Sequence, residues 1–424
     1  MDKFLQEKLM PIAFKLGNNK FLVAIRDGIT YSVPLIIIGS LMMITVAFPI
    51  QAWQDLLGKA GIADYLWKGV SSSFGLIGVV SSFGIAYSLA KQYKVDGIAA
   101  GIINLSAFIV VTPFITDKAG AAGIPTDYMA SKGLFVAMVL GLVNGYIYQW
   151  FINHDIQIKM PDGVPPAVSK SFSAIIPGAS IIAGWLLVYA TLGSLHLPNL
   201  HEVAQVVLGV PLGLIGNNVI GLFFLVIVNS LLWFVGLHGG NIANSILKPI
   251  WISNLNENQA AFKAHEALPN IFTNVFMDNF VFIGGGGATI GLVLAIAYIV
   301  RKKKASAQMK ALAPITIVPG LFNINEPTMF GVPVVLNVSL LFPFVLAPAI
   351  NLIISWAVMS SGLVPLTYAD PGWTTPPIIS GFLATGSISA SILQLILIII
   401  DIALYFPFVL ALEKRYLQEE HAGE

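Results

Sequence analysis

The sequence predicts an all-α polytopic membrane protein with about ten transmembrane helices, two re-entrant hairpins and amphipathic interfacial helices. Of its 424 residues, 56% are hydrophobic and only 10% are charged, whereas soluble domains carry about 25% charged residues. Long runs contain no charge at all, and roughly 20 apolar residues suffice to cross a bilayer. These runs are 28–50, 70–90, 133–153, 171–195, 203–237 and 371–400. They are apolar on all sides, which is typical of helices and not of alternating barrel strands.

The first 27 residues place apolar side chains near helical spacing with lysines between them, which predicts an amphipathic helix at the membrane surface. No cleavable signal peptide is expected, because this charged stretch precedes the first apolar run. Segments 1–27 and 301–310 together hold ten of the 22 Lys and Arg residues. Positive charge accumulates in cytoplasmic loops. With Lys414 and Arg415 after the last span, both termini are therefore expected in the cytoplasm.

Eight spans follow from hydropathy alone. The first five are expected at about 28–50, 70–91, 97–116, 132–152 and 171–195, and the others near 279–300, 338–360 and 388–412. The run 203–237 is too long for one span and too short for two. We interpret it as a half-buried helix to about Ile215, a hinge at 216–218, and a span that ends at His238.

Two segments predict re-entrant hairpins. The segment 311–337 contains four prolines and a single charge, Glu326. Proline disfavours a straight helix, and irregular backbone at membrane depth is tolerated only when it is buried in protein or lines a cavity. The segment 239–277, with Pro249 and a polar stretch after it, is interpreted in the same way, and 371–386 is a further broken piece.

Composition changes near residue 200, where long spans give way to pieces broken by Pro, Gly and polar residues. Broken helices are where transporters place their binding sites. We therefore expect residues 1–205 to form a scaffold half, and residues 206–424 to form the half that carries the substrate.

Charge and cysteine counts exclude several functions. The net charge is +1 without a long basic stripe, so nucleic acid is not an expected partner. The chain has no cysteine, which removes disulfides, thiolate metal sites and thiol chemistry. We expect neither a metal nor a cofactor.

Glu326 is the strongest candidate for a functional residue. It is the only charge between Ala311 and Ala369, and an ionisable side chain at membrane depth indicates a functional site. Pro327 directs it away from helical geometry, which suits the tip of a hairpin. A helix cap or a buried ion pair would be the purely structural explanation.

Other candidates are an imidazole, two indoles and further carboxylates. His238 ends an apolar helix before Gly239 and Gly240, where the helix dipole alone could hold it. Trp233 and Trp373 could face a cavity, although Trp is also common at membrane interfaces. Asp278 and Asp401 interrupt apolar runs, and for Asp401 a hydrogen bond to a neighbouring helix is preferred over a proton relay. Residues 284–287 are four glycines that lack the Lys of a P-loop, so close helix packing is expected there.

Together, one carboxylate, one imidazole, several Asn amides and two indoles suit a neutral polyhydroxylated ligand. A carboxylate accepts hydrogen bonds from hydroxyl groups, Asn both donates and accepts, and an aromatic ring covers the apolar face of a sugar.

Two motifs carry a resemblance to a known family. At Asn323-Ile324-Asn325-Glu326-Pro327 and at Leu237-His238-Gly239-Gly240-Asn241 the sequence resembles the membrane component, enzyme IIC, of the bacterial sugar phosphotransferase system, in its lactose/cellobiose/diacetylchitobiose family. The resemblance extends along the whole chain.

The resemblance implies a homodimer in which the first half makes most of the dimer contact and the second half moves the sugar. It implies that Glu326 and His238 position the sugar 6-hydroxyl, and that Trp233, Asn241, Asn325 and Trp373 line the binding site. It also implies a cytoplasmic partner, enzyme IIB, which carries phosphate on a cysteine. The lack of cysteine here agrees with a phosphoryl donor on a separate protein.

The resulting hypothesis is a permease subunit that binds a β-linked disaccharide, moves it inward and presents its 6-hydroxyl to phosphorylated enzyme IIB. The alternative is a proton-coupled sugar symporter in which Glu326 or Asp401 titrates. The sequence leaves the identity of the disaccharide open among cellobiose, diacetylchitobiose and lactose.

Overall fold

A computed structural model describes residue 15 and residues 18–422, apart from 49, 117, 119, 162, 235–238, 303–304, 333 and 336. Within helices, the side chains of 241–243, 245 and 422 are also not described. Most of the predicted amphipathic start, and His238, therefore fall outside the described residues.

The first half is a series of helices with one minimal hairpin of strands. Its helices are α1 Lys20–Thr30, α2 Val33–Val46, α3 Gln51–Lys59, α4 Ile62–Phe74, α5 Ile77–Gln92, α6 Gly97–Val111, α7 Thr126–Met129, α8 Leu134–Asn153, α9 Pro166–Ser173, α10 Ile175–Ser194 and α11 Leu200–Ala204. Strands β1 Ile115–Thr116 and β2 Ala122–Gly123 pair antiparallel between α6 and α7. Asn19 and Asp96 cap α1 and α6 with side-chain oxygens that accept backbone N–H groups.

The second half begins with α12 Val210–Gly216, which a π-helical stretch at Gln205–Gly209 joins to α11. Its other helices are α13 Val219–Phe234, α14 Gly239–Lys263, α15 Asn274–Phe276, α16 Ile290–Arg301, α17 Ala307–Leu321, α18 Glu326–Gly331, α19 Val338–Ser360, α20 Ile379–Thr385 and α21 Ile388–Ala422. A second π-helical stretch, Met277–Val281, follows α15.

The all-α membrane class is confirmed. Among the described residues, six helical stretches are long and apolar enough to cross a membrane, one bent pair adds a seventh, and α6 and α16 are shorter apolar helices. The predicted total of about ten stays a prediction. Helices α19 and α21 begin where hydropathy placed them, and α21 extends about ten residues past the predicted end.

The hinge at 216–218 is also confirmed. Residues Leu200–Gly216 and Val219–Phe234 meet at 77°, and Asn217 and Asn218 interrupt the helical hydrogen bonding between them. The predicted half-buried helix before the hinge is α11, the π-helical stretch and α12.

The segment 311–337 doubles back as predicted. Helix α17 leads to a turn at 322–325, and α18 returns along α17. The two helices are in contact, since a Cβ on Gly331 of α18 would lie 3.4 Å from the Leu312 side chain of α17. Pro314 and Pro319 both lie inside α17. We name α17, the turn and α18 the Glu326 hairpin.

The structure of the segment 239–277 differs in detail from the predicted second hairpin. Its first arm is a continuous 25-residue helix, α14, which runs through Pro249. The return is short: Asn254 Nδ2 donates to Phe272 O at 2.6 Å, and Asn258 Nδ2 donates to Asn270 O at 2.7 Å. Tertiary packing therefore holds a long helix where the proline and the polar stretch indicated a hairpin like that of 311–337.

In the predicted span 279–300, the α-helix begins only at Ile290, after the π-helical stretch that ends at Val281. Before Ile290, Gly284, Gly285 and Gly287 have positive φ angles, a backbone conformation that glycine adopts without strain. These residues form a turn, which we name the glycine loop, Gly284–Gly287.

Buried amides connect the helices of the first half. Asn104 Nδ2 donates to Ser82 O and Oγ at 2.7 and 2.8 Å, Asn144 Nδ2 donates to Asn104 Oδ1 at 2.7 Å, and Trp185 Nε1 donates to Asn144 Oδ1 at 2.6 Å. This chain of bonds, the scaffold network, ties together α5, α6, α8 and α10.

Candidate functional site

A cavity of about 320 Å³ opens among the broken elements of the second half. Its volume lies at the lower end of the range for small-molecule sites. The lining residues come from α13, α14, the Met277–Val281 stretch, the glycine loop, the Glu326 hairpin and the segment before α20. They are Leu225, Asn229, Trp233, Gly240, Asn244, Lys248, Trp251, Met277, Asp278, Phe282, Gly285, Gly286, Asn323, Asn325, Glu326 and Trp373.

Helices α13 and α14 each present one stripe of residues to this cavity. On α13 the stripe is Leu225, Asn229 and Trp233, spaced by four residues. On α14 it is Gly240, Asn244 and Lys248 with the same spacing, followed by Trp251. Residues four apart lie on one face of a helix, so each helix turns one polar and aromatic face toward the cavity.

The turn of the Glu326 hairpin is held by Asn323. Its φ angle is 61°, a left-handed conformation that Asn tolerates better than most residues. Asn323 Oδ1 accepts from Gly284 N at 2.7 Å, and Nδ2 donates to Trp373 O at 2.7 Å and to Thr375 O at 3.2 Å. One amide therefore joins the hairpin, the glycine loop and the segment that carries Trp373.

The glycine loop forms a wall of the cavity because side chains from three directions press against it. A Cβ on Gly286 would lie 2.6 Å from Trp233 Nε1, and one on Gly285 would lie 2.6 Å from Asn325 Cγ. Asn325 Nδ2 donates to Gly286 O at 3.0 Å, and Tyr405 donates its hydroxyl to Gly287 O at 2.7 Å. The expected role in close packing is present, but Gly285 and Gly286 also line the cavity.

Four of the six predicted site residues line this one cavity: Trp233, Asn325, Glu326 and Trp373. Glu326 begins α18 and is exposed to the cavity, and the Trp373 side chain is 49% exposed. Trp233 is only 4% exposed, because it packs on the glycine loop. His238 lies outside the described residues, and of Asn241 only the backbone, in α14, is described.

Several lining residues were not predicted as site residues: Asn229, Asn244, Lys248, Trp251 and Asn323. The spacing of Asn229 from Trp233 in the largely apolar α13, and the same spacing of Asn244 from Lys248, was a usable signal. Asp278 was noticed only as a charge in an apolar run, and it is the second carboxylate of the cavity.

Asp401 lies away from the cavity lining. It is fully buried in α21, and its Oδ2 accepts from Asn351 Nδ2 of α19 at 3.1 Å. The preferred sequence interpretation, a hydrogen bond to a neighbouring helix, is confirmed.

The charges in the cavity are Glu326, Asp278 and Lys248. Within the described part of the chain, no three His, Asp or Glu side chains are grouped closely enough to hold a metal ion. The other polar groups are amides, backbone groups of glycines and indole N–H groups. Such a set can donate and accept many hydrogen bonds to a neutral ligand.

Comparison with known proteins decides the family. The family model described as "Phosphotransferase system, EIIC" matches residues 26–348. The chain belongs to the phosphotransferase system EIIC family. This EIIC is 42% identical to the lichenan permease IIC component of Bacillus subtilis, over 99% of this chain and 95% of the relative. It is also 42% identical to a cellobiose-specific EIIC component of Geobacillus stearothermophilus, with 100% and 97% covered.

A solved structure gives the same answer for the fold. The transporter ChbC, the IIC component of an N,N'-diacetylchitobiose-specific phosphotransferase system, superposes with a TM-score of 0.92 at 36% identity, with 99% of each chain covered. This EIIC is therefore a multi-pass permease of the bacterial membrane, and the resemblance found in its two motifs is confirmed.

Proposed function

We propose that this EIIC binds a β-linked disaccharide of the cellobiose or diacetylchitobiose type, moves it inward and presents its 6-hydroxyl to phosphorylated enzyme IIB. The observation that carries the proposal is the Glu326 carboxylate at a hairpin turn, exposed in a cavity lined by amides and indoles. The names of the relatives support the sugar class, since they include cellobiose-specific and diacetylchitobiose-specific components.

Glu326 is proposed to accept the hydrogen bond of the 6-hydroxyl and so hold that oxygen for attack on phosphorus. In-line phosphoryl transfer depends on positioning and on electrostatic stabilisation, and a carboxylate forms the stronger, charge-assisted bonds to hydroxyl groups. His238 and Asn241 remain predicted partners in this role and in sugar binding. Asn325 donates one Nδ2 hydrogen to Gly286 O, which leaves Oδ1 and the second Nδ2 hydrogen for the sugar.

Trp373 and Trp233 are proposed to differ in function. The half-exposed Trp373 ring offers its face to the apolar face of a sugar ring. Trp233 is nearly buried against Gly286 and shapes the wall of the cavity.

The first half is proposed to form the homodimer scaffold against which the second half moves. Helix α10 supports this. It belongs to the helical stretch Pro166–Ser194, and only 17% of the most apolar part of that stretch is buried within one chain. Its exposed side chains include Leu186, Leu187 and Tyr189. Both termini are proposed to be cytoplasmic, on the side of enzyme IIB.

The partner experiment tests the phosphotransfer. Proteoliposomes with this EIIC alone should bind cellobiose. They should form no sugar phosphate, because these 424 residues contain no cysteine that could donate the phosphoryl group. Adding phosphorylated enzyme IIB should yield cellobiose phosphate on the side of the partner. Accumulation of free cellobiose driven by a proton gradient would instead establish the symporter.

The substitution Glu326→Gln separates the same two mechanisms. Loss of a charge-assisted hydrogen bond of about 1.5–3 kcal/mol should weaken cellobiose binding roughly tenfold to a hundredfold, while the protein still inserts. A symporter would treat Gln as the protonated carboxyl and bind with near-normal affinity that no longer varies with pH. Equilibrium binding between pH 5 and 8 distinguishes these outcomes, and near-native affinity throughout removes Glu326 from the sugar site.

A further inference from the structure

Two sets of polar residues line the cavity from different elements, besides Asn229 and Asn244 on the helix stripes. One set belongs to the Glu326 hairpin and comprises Asn323, Asn325 and Glu326. The other set is Lys248 of α14 and Asp278 of the Met277–Val281 stretch.

A small recess shows that these sets lie at different ends. It has a volume of about 20 Å³ and continues from the cavity toward α2, where Val33, Ile36 and Ile37 line it. Lys248 and Asp278 line both the cavity and the recess, whereas the three hairpin residues line only the cavity. The recess has room for about one water molecule, so a sugar ring would stop at Lys248 and Asp278.

Trp373 lies between the two sets. Its side chain lines both spaces, and its backbone carbonyl accepts from Asn323 at the hairpin end. The half-exposed Trp373 indole therefore has the hairpin residues on one side and Lys248 with Asp278 on the other. This arrangement suits a ligand with two hydroxylated rings.

The charges at the recess end are complementary. Lys248, Asp278 and Asp370 all line the recess, so one basic and two acidic side chains face the same small space. Asp370 is already occupied, because Oδ2 accepts from Asn274 Nδ2 and Oδ1 accepts from Gly372 N, both at 2.8 Å. Asp278 accepts no hydrogen bond from another described residue.

We propose that Lys248 and Asp278 together bind neighbouring hydroxyl groups on the sugar ring that is not phosphorylated, and thereby select a disaccharide over a monosaccharide. One hydroxyl donates to the Asp278 carboxylate, and its neighbour accepts from the Lys248 ammonium. The opposite charges offset each other, so this end favours a neutral ring over an anionic or cationic one. The inference rests on the proposed sugar-binding function and adds the residues that read the second ring.

The test compares two ligands in the purified full-length protein. Cellobiose offers both rings, and methyl β-glucoside offers only the ring that carries the 6-hydroxyl to be phosphorylated. Lys248→Met and Asp278→Asn should each weaken cellobiose binding about tenfold or more and change methyl β-glucoside binding less than about threefold. Glu326→Gln should weaken both ligands.

Asp370→Asn is the matched control, because it removes a carboxylate near Lys248 that lines the recess and not the cavity. It should lower thermal stability and leave the ratio of the two affinities unchanged. If a single variant fails to fold because a lone charge is left behind, the double variant Lys248→Met/Asp278→Asn is measured instead, with the same expected ratio.

Two results overturn the inference. Unchanged cellobiose affinity in the variants, alongside a loss in Glu326→Gln, excludes Lys248 and Asp278 from sugar binding while the proposed function stands. Equal loss for both ligands places them at the phosphorylated ring. If the unmodified protein binds neither ligand, the proposed function itself fails.

Discussion

The buried amides of the scaffold network in residues 1–205 bond to one another, whereas residues 206–424 hold most of the described buried side-chain polar atoms that have no protein partner. In the scaffold network each amide of Asn104 and Asn144 both donates and accepts, and Trp185 closes the chain. Among the described residues, two buried side-chain polar atoms without a partner lie in the first half and thirteen lie in the second.

The contrast separates two uses of polar groups inside a membrane protein. A buried polar group without a partner costs free energy, so a closed network stabilises one packing arrangement. Among the thirteen second-half atoms without a partner, Asn229 Oδ1 is the one that belongs to a residue lining the cavity, and the atom is itself buried. The closed network suits the proposed scaffold half, and the less fully bonded interior of residues 206–424 suits the half proposed to bind and move the sugar.

The largest effect is expected at Asn323, which joins three segments of the site. Asn323→Asp keeps the acceptor for Gly284 N but loses the donor to Trp373 O and Thr375 O. Two unsatisfied carbonyls, each costing about 1–3 kcal/mol, release the Trp373 segment, so cellobiose affinity measured by equilibrium binding should fall about a hundredfold or more.

The control for this change is Asn337→Asp. Asn337 caps α19 by accepting from Ser339 N, and Asp is as good a cap as Asn. Its affinity should equal that of the unmodified protein. Equal losses in both variants would show that the effect of Asn323→Asp is not specific to the site.

A smaller loss is expected for Trp373→Ala. The ring face that would cover a sugar contributes on the order of 1–2 kcal/mol through apolar burial, so affinity should fall roughly fivefold to thirtyfold. Trp150→Ala, at a residue 40% exposed in the first half, should leave cellobiose affinity unchanged. Unaltered cellobiose affinity in Trp373→Ala would mean that this indole does not cover the ligand.

The opposite result is expected for Asn144→Leu in the scaffold network. The change leaves Asn104 Oδ1 without its donor and Trp185 Nε1 without its acceptor, which should lower the free energy of unfolding by about 1–3 kcal/mol. Thermal unfolding in detergent measures the loss, and the cellobiose affinity of the folded protein should not change. A large loss of cellobiose affinity in Asn144→Leu would show that the scaffold network also contributes to sugar binding, contrary to the proposed difference between the halves.

The smallest effect is expected for Trp185→Phe, which removes only the terminal donor of the network. Its cost should be about 1 kcal/mol, seen as a modest fall in the unfolding temperature with unchanged affinity. A destabilisation larger than that of Asn144→Leu would show that the packing of α10, and not the hydrogen-bond network, makes the main contribution of Trp185 to stability.

The sequence was informative where local chemistry decides conformation. Gly216, Asn217 and Asn218 predicted the 77° bend, and the prolines around Glu326 predicted the hairpin turn. The sequence failed at α14, because Pro249 suggested a break that packing overrides. Lys248 was missed because spacing shows which residues share a face, while only the tertiary fold shows that this face meets the cavity.

The three hydrogen bonds of Asn323 also have a consequence for biogenesis. They connect position 284 to position 323 and then to positions 373 and 375, so the site draws on chain that is synthesised over more than ninety residues. During insertion the hairpin turn leaves the ribosome before its anchor exists. Competence to hold a sugar therefore arises late in synthesis, after most of the spans have already entered the membrane.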